Sequence, residues 1–344
     1  MAREQVTYRS PSYYEIGDIS RPSWRDFRGP DYWEYRRLWD ERPALRDPGA
    51  FPLHIDLDPT NACNLRCTMC PRTHYLETGN TRWAPDGKIG YMTWTLFTSV
   101  IDQAAANGAF SIKLNFLGEP LLHPLVVEQV AYAHDRGLEV MMNTNATLLT
   151  TEISQQLLEA GLDDIFFSVD SPYPEEYERI RRGANFHQVI RNIGRFIEIK
   201  DRLGLRHVQT RVSMVLPPLD QDSTQARLDF KDLFLCLGVS EIGFALPTDM
   251  NLDYWKTYGP VDGFACRDPY HRMFIFWDGK IGPCCGEWER RFLVGDARTE
   301  RLENVWRNKI YQTLRQAHEQ GRYHELGICR HCSVPWLSRQ EAPV

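Results

Sequence analysis

Every second residue is apolar at Leu53, Ile55 and Leu57, the alternation of a half-buried strand. From residue 51 to about 250 the pattern then switches repeatedly between period two and the helical period. It predicts further strands over 111–117, 138–142, 165–169, 208–215 and 241–246. Helices are predicted between them, over 93–107, 123–136, 150–160, 174–182 with 187–203, and 222–237. Gly137 and Gly161 stand just past two of these helices as stop signals. Six strand-then-helix units imply an α/β fold with a parallel sheet, curled by the handedness of its connections. Eight units would close it, so six predict a partial (β/α)6 barrel of the TIM-like kind.

Both ends of the chain break this rhythm. Residues 1–50 hold many aromatics, among them Tyr32, Trp33, Tyr35 and Trp39, with no strict period beyond a short helix over 31–40. They read as an extension whose aromatics pack onto the barrel. After residue 250, Asp278-Gly279 between two apolar runs marks a hairpin, and a helix is predicted over 302–320. The expected division is an aromatic extension at 1–50, a barrel at 51–250 and a small third region at 251–344.

The chain has 344 residues, 42% of them apolar and 25% charged, which excludes a disordered or fibrous protein. Its formal net charge of −6 gives no global attraction to nucleic acid or to an anionic membrane. The apolar runs are too short to span a bilayer, and the start has no apolar signal segment. These features predict a cytoplasmic protein with neither nucleic acid nor membrane as partner.

Nine cysteines in such a compartment call for a reason other than disulfides. Cys63, Cys67 and Cys70 follow directly on the first strand, with spacing Cys-x3-Cys-x2-Cys. Three thiolates in eight residues can hold three irons of a cubane cluster and leave the fourth open, which chemistry requires. A zinc site completed by His74 is the alternative reading. The loop lies at the carboxyl end of a barrel strand, where this architecture carries its active sites.

The motif and its position resemble the radical S-adenosylmethionine (radical SAM) enzymes, over roughly residues 51–250. The resemblance implies a catalytic [4Fe–4S] cluster on Cys63, Cys67 and Cys70, with S-adenosylmethionine on the open iron. Cleavage of that cosubstrate would release a 5′-deoxyadenosyl radical, which removes a hydrogen atom from substrate. An external one-electron donor of the flavodoxin or ferredoxin kind is implied as well. Gly118-Glu119-Pro120 resembles the family's glycine–glutamate–proline segment, although Leu117 stands where a second glycine often precedes it. Asn145, Ser168, Asp170, Arg211 and Ser213, near the carboxyl ends of successive strands, fall where family members hold the methionine and ribose. A guanidinium such as that of Arg211 suits the carboxylate.

Cys266, Cys284, Cys329 and Cys332 form a second set in the last 80 residues. Four thiolates close the shell of one cluster, or of a structural zinc ion. The set resembles the twitch or SPASM extension of the same family, and implies one auxiliary [4Fe–4S] cluster. Its spacing is similar to that of an aminocyclitol dehydrogenase within the family. Cys236 reads as core. Cys285, directly after Cys284, points away from its neighbour in an extended segment, so its thiol is either packing or a hydrogen-atom donor.

Acidic and aromatic residues near the third region, including Asp249, Tyr254, Glu287 and Trp288, suit hydroxyl, amine and sugar-ring groups. The expected substrate is a small molecule: a saccharide, an aminocyclitol or a glycosylated natural product. No leader-binding domain is evident before residue 51, which weighs against peptide maturation. The thiol of Cys285 favours epimerisation; dehydrogenation of a hydroxyl is the alternative, with Glu287 or Asp249 as base.

Overall fold

The computed structural model describes residues 5–10, 13–17, 23–84, 87–216, 223–246, 248 and 254–338. Its strands in chain order are β1 Gln5–Ser10, β2 Tyr13–Gly17, β3 His54–Leu57, β4 Arg66–Cys67, β5 Ser111–Leu114, β6 Glu139–Thr144 and β7 Asp164–Ser168. They continue with β8 Arg181–Arg182, β9 Gln209–Val215, β10 Glu241–Ala245, β11 Arg272–Ile275, β12 Lys280–Gly282 and β13 Gly295–Asp296. Eleven of them form one open sheet in the order β1-β2-β10-β9-β7-β6-β5-β3-β11-β12-β13. The six from β10 to β3 run parallel, each joined to the next through helices, as the six-unit pattern predicts. This is the partial barrel.

One face of each strand is apolar and packs under the helices: Ile55, Ile112, Val140, Ile165, Val212 and Ile242 are fully buried. The opposite face lines the barrel's interior and is charged. Asp56 on β3 accepts from Arg272 on β11, through Nε at 3.0 Å and Nη2 at 2.7 Å. Lys113 on β5 and Arg211 on β9 lie 4.1 and 3.6 Å from the ring centre of Phe166 on β7. Such cation–ring contacts lower the cost of burying charge.

The aromatic extension covers the amino-terminal end of the barrel. Its helix is longer than predicted, Pro30–Leu45, and buries Tyr32 and Tyr35 with Trp24 and Leu53. Tyr35 stacks on Phe110 at 4.3 Å, and Trp39 on His271 at 4.0 Å. Trp24 Nε1 donates to Glu241, the first residue of β10. Strands β1 and β2 form a hairpin that pairs antiparallel with β10. No helix among the described residues is long and apolar enough to cross a membrane.

Three elements differ from the sequence pattern, each for a local reason. The strand at 111–117 ends at Leu114, because Phe116 takes a φ of +142° ahead of the tight approach at Gly118. The helix at 174–182 stops at Ile180, and Arg181–Arg182 become β8, paired antiparallel with β4. The helix at 302–320 is two, Leu302–Trp306 and Lys309–Glu319. Asn308 caps the second by accepting from Tyr311 N at 2.9 Å, a local bond that competes with helix continuation.

Candidate active site: two cysteine sets and a shared cavity

Cys63, Cys67 and Cys70 occupy the loop that leaves β3. Cys67 sits on β4, Cys70 N donates to Cys67 O at 3.2 Å, and Cys70 opens the helix Pro71–Thr78. Burial pushes the Cys67 thiol up to about 11, with the Arg181 guanidinium opposing and the Cys70 and Cys63 thiols adding to the rise. The three thiols therefore feel one another. Ligation would deprotonate them.

The loop is held by a contact only glycine permits. A Cβ on Gly118 would lie 1.8 Å from the carbonyl oxygen of Thr60 and 2.6 Å from that of Ala62. Glu119 N then donates to Ala62 O at 2.7 Å. The buried Glu119 carboxylate accepts from Thr144 Oγ1 at 2.7 Å, Asn145 N at 2.8 Å and Leu121 N at 3.2 Å. It ties the end of β6 to the cysteine loop, and Pro120 begins the short turn after it. Asn145 Nδ2 lies 4.0 Å from Cys63 Sγ and donates to Asn64 at 3.0 Å.

Ser168, the last residue of β7, and Ser213, two residues before the end of β9, are register partners, both half-buried. Asp170 is buried and accepts from Val215 N at 2.9 Å and from Arg181 Nε at 2.6 Å. Arg181 Nη1 in turn lies 3.8 Å from Cys67 Sγ. Asp170 thus holds a cation against a cysteine of the loop. Arg211 sits one layer deeper in the barrel, over Phe166.

Cys266, Cys284, Cys285, Cys329 and Cys332 line a single cavity of about 770 Å³. Phe264, Glu287, Trp288 and Glu289 share it, as do His74 and Tyr75 from the helix that Cys70 opens. The cavity thus runs from the helix that Cys70 opens to the second cysteine set. Burial pushes all four expected ligand thiols up, Cys332 to about 11. Cys285 N donates to Asp268 Oδ2 at 3.3 Å. Loss of solvation pushes the Cys285 thiol up, the Asp268 carboxylate raises it further, and Arg272 opposes. Burial would raise Asp268 itself, but Arg272 and His271 bring it down to about 2. Glu287 lines the cavity, yet its two oxygens accept from Arg291 N at 2.6 Å and Phe292 N at 3.1 Å. Asp249 lies outside the described residues.

Among the described residues no three or more His, Cys, Asp and Glu side chains converge on a single ion position. Three cysteines on one loop and four around one cavity are the donor types and numbers that cubane clusters take.

Residues 57–222 match the Radical SAM superfamily, and residues 266–333 match an iron–sulfur cluster-binding domain, SPASM. The chain belongs to the radical SAM superfamily. The two domains imply a catalytic [4Fe–4S] cluster, an auxiliary iron–sulfur cluster and S-adenosylmethionine. A tungsten-containing aldehyde ferredoxin oxidoreductase cofactor-modifying protein of Pyrococcus furiosus is 33% identical over 118 residues, 34% of this chain and 30% of that one. The curated relatives align over less than half of their own length. The crystal structure of BtrN with AdoMet and 2-DOIA shares the fold at a TM-score of 0.53 and 15% identity, over 82% of this chain and 93% of that one. Streptococcus suis SuiB bound to precursor peptide SuiA does so at 0.60 and 14%, over 82% and 71%.

Three polar residues of this radical SAM chain escape the sequence reading. Arg181 lies in what reads as helix, and the strand pairing that aims it at Cys67 joins residues 114 apart. Asp268 and His318 are a lone acid and a lone histidine, with no spacing rule to mark them. Asp268 alone had an indirect signal, two residues after a ligand cysteine.

Proposed function

We propose that this protein is a radical SAM epimerase acting on a saccharide, an aminocyclitol or a glycosylated natural product, with Cys285 as hydrogen-atom donor. The catalytic cluster and S-adenosylmethionine, when bound, supply the one-electron chemistry that removes a hydrogen atom from a substrate C–H bond. Residues 57–222 provide that machinery, with Glu119, Asn145, Ser168, Asp170, Arg211 and Ser213 ordering its edge. The observation that carries the reading is Cys285, which lines the shared cavity with its backbone N–H on Asp268. Its S–H bond breaks, a C–H bond forms on the opposite face of the substrate radical, and a thiyl radical remains on Cys285. One electron, from an external donor of the flavodoxin or ferredoxin class, and one proton restore the thiol. The faces of Tyr75 and Trp288, with the carboxylate of Glu289, offer stacking and hydrogen-bond acceptors to a hydroxyl- or amine-bearing ring.

Dehydrogenation to a ketone is the second reading. It is favoured by likeness to BtrN, which is seen in complex with AdoMet and 2-DOIA. It needs a base, and Glu287 already accepts two backbone N–H groups, which leaves Asp249 as the other candidate. Turnover in deuterated water separates the two. The epimerase places one solvent deuterium at the inverted carbon, because a thiol exchanges with solvent. Cys285→Ala should abolish the epimer while 5′-deoxyadenosine still forms. A ketone from the wild type, or normal turnover by the variant, refutes epimerisation.

A further inference from the structure

His318 is buried near the end of the helix Lys309–Glu319 and takes no part in the chemistry proposed for Cys285. Its ring is fixed on several sides. Tyr323 lies parallel at 5.8 Å, and the edge of Phe264 approaches at 6.3 Å. Nδ1 accepts the backbone N–H of Cys266 at 3.3 Å. That N–H can only donate, so Nδ1 carries no proton and the neutral ring bears it on Nε2. Nε2 lies 3.6 Å from Cys329 Sγ. One imidazole therefore bridges two cysteines that stand 63 residues apart in the chain, with its single N–H aimed at the second sulfur.

We propose that His318 is a positioning residue of the auxiliary site, donating a hydrogen bond to the Cys329 thiolate and raising the reduction potential of the cluster held there. Reduction adds negative charge to the cluster and its sulfurs, so a donor aimed at one of them stabilises the reduced state more than the oxidised one. The bond to Cys266 N–H fixes the tautomer that makes this donation possible, and the aromatic neighbours hold the ring in plane. The proposal concerns a cluster ligand, so it stands whether the substrate radical ends as an epimer or as a ketone.

The test is a redox titration of the reconstituted full-length protein, with electron paramagnetic resonance reading each cluster and the catalytic cluster as internal control. In His318→Phe the auxiliary midpoint should fall, cutting the reduced-to-oxidised ratio at a fixed potential by about threefold or more, where a tenfold change is about 59 mV for one electron. The catalytic midpoint and the iron content should stay as in the wild type. His318→Gln, whose amide both accepts and donates, should restore most of the lost potential. An unmoved auxiliary midpoint in the Phe variant, or an equal fall in both variants, overturns the proposal. If the Phe variant sheds about four irons per chain, the Gln variant decides: a near-native midpoint supports the proposal, and a fallen one overturns it.

Discussion

Arg181 and Asp170 form a buried pair whose members differ in what they touch besides each other: a cysteine sulfur on one side, the backbone of β9 on the other. Arg181→Met should strand the carboxylate and cost about 3–5 kcal/mol, read as a lower urea midpoint. Asp170→Asn combined with Arg181→Met should cost less than the two single changes summed, because the double change leaves no unpaired charge. Additivity would mean that the pair does not couple. Gly118→Ala tests the loop more severely. A Cβ placed 1.8 Å from the Thr60 oxygen forces the cysteine loop away, so the variant should reconstitute with about half the wild-type iron. Gly194→Ala is the control. It lies inside the helix Phe186–Arg202, its Cβ would meet Leu237 at an ordinary 3.6 Å, and it should be neutral or stabilising by up to about 1 kcal/mol. Full iron in the Gly118 variant would show that the close approach is dispensable.

The extension's helix Pro30–Leu45 meets the cluster-binding region through Trp39, stacked on His271. Burial, partly offset by Asp268, lowers His271 to about 4, against the ordinary value of 6.5. Between those two values the unfolded chain takes a proton that the folded chain refuses. Stability contributed by this histidine is therefore complete above about pH 6.5 and is lost as pH falls toward 4, by at most about 1.4 kcal/mol per pH unit. Urea midpoints at pH 7 and pH 5 should differ less in His271→Phe than in the wild type; equal slopes would assign the acid sensitivity to other groups. The elements that carried sequence information were those with local causes. Alternating apolar residues made the strands legible, and glycines marked helix ends. The cysteine spacings likewise pointed to the two regions that match the radical SAM and SPASM models. What stayed hidden depends on partners distant in the chain. Nothing near Arg181 announces that its backbone will pair with β4. The charged interior of the barrel was hidden too, since Asp56 and Lys113 read as solvent-facing positions until β11 brings Arg272 beside them.

At the scale of the whole molecule the two cysteine sets are separate groups, one on the loop after β3 and one around the cavity beside β11 and β12. Anaerobic reconstitution should load about eight irons per chain. Changing Cys63, Cys67 and Cys70 together to Ala should leave about half and abolish cleavage of S-adenosylmethionine. Cys329→Ala with Cys332→Ala should remove the other half while uncoupled cleavage survives. Loss of the same iron in both variants would mean that one cluster spans the two sets. The sheet itself joins the regions: β11, which begins within the SPASM match, is hydrogen-bonded along the full length of β3. A gene cut after residue 250 would leave the short, buried β3 with a bare edge, open to pairing with any neighbouring chain and so to aggregation. The cluster-binding region thus acts as the barrel's selvedge, and a lineage that shed the second cluster would first have to evolve another cover for that strand.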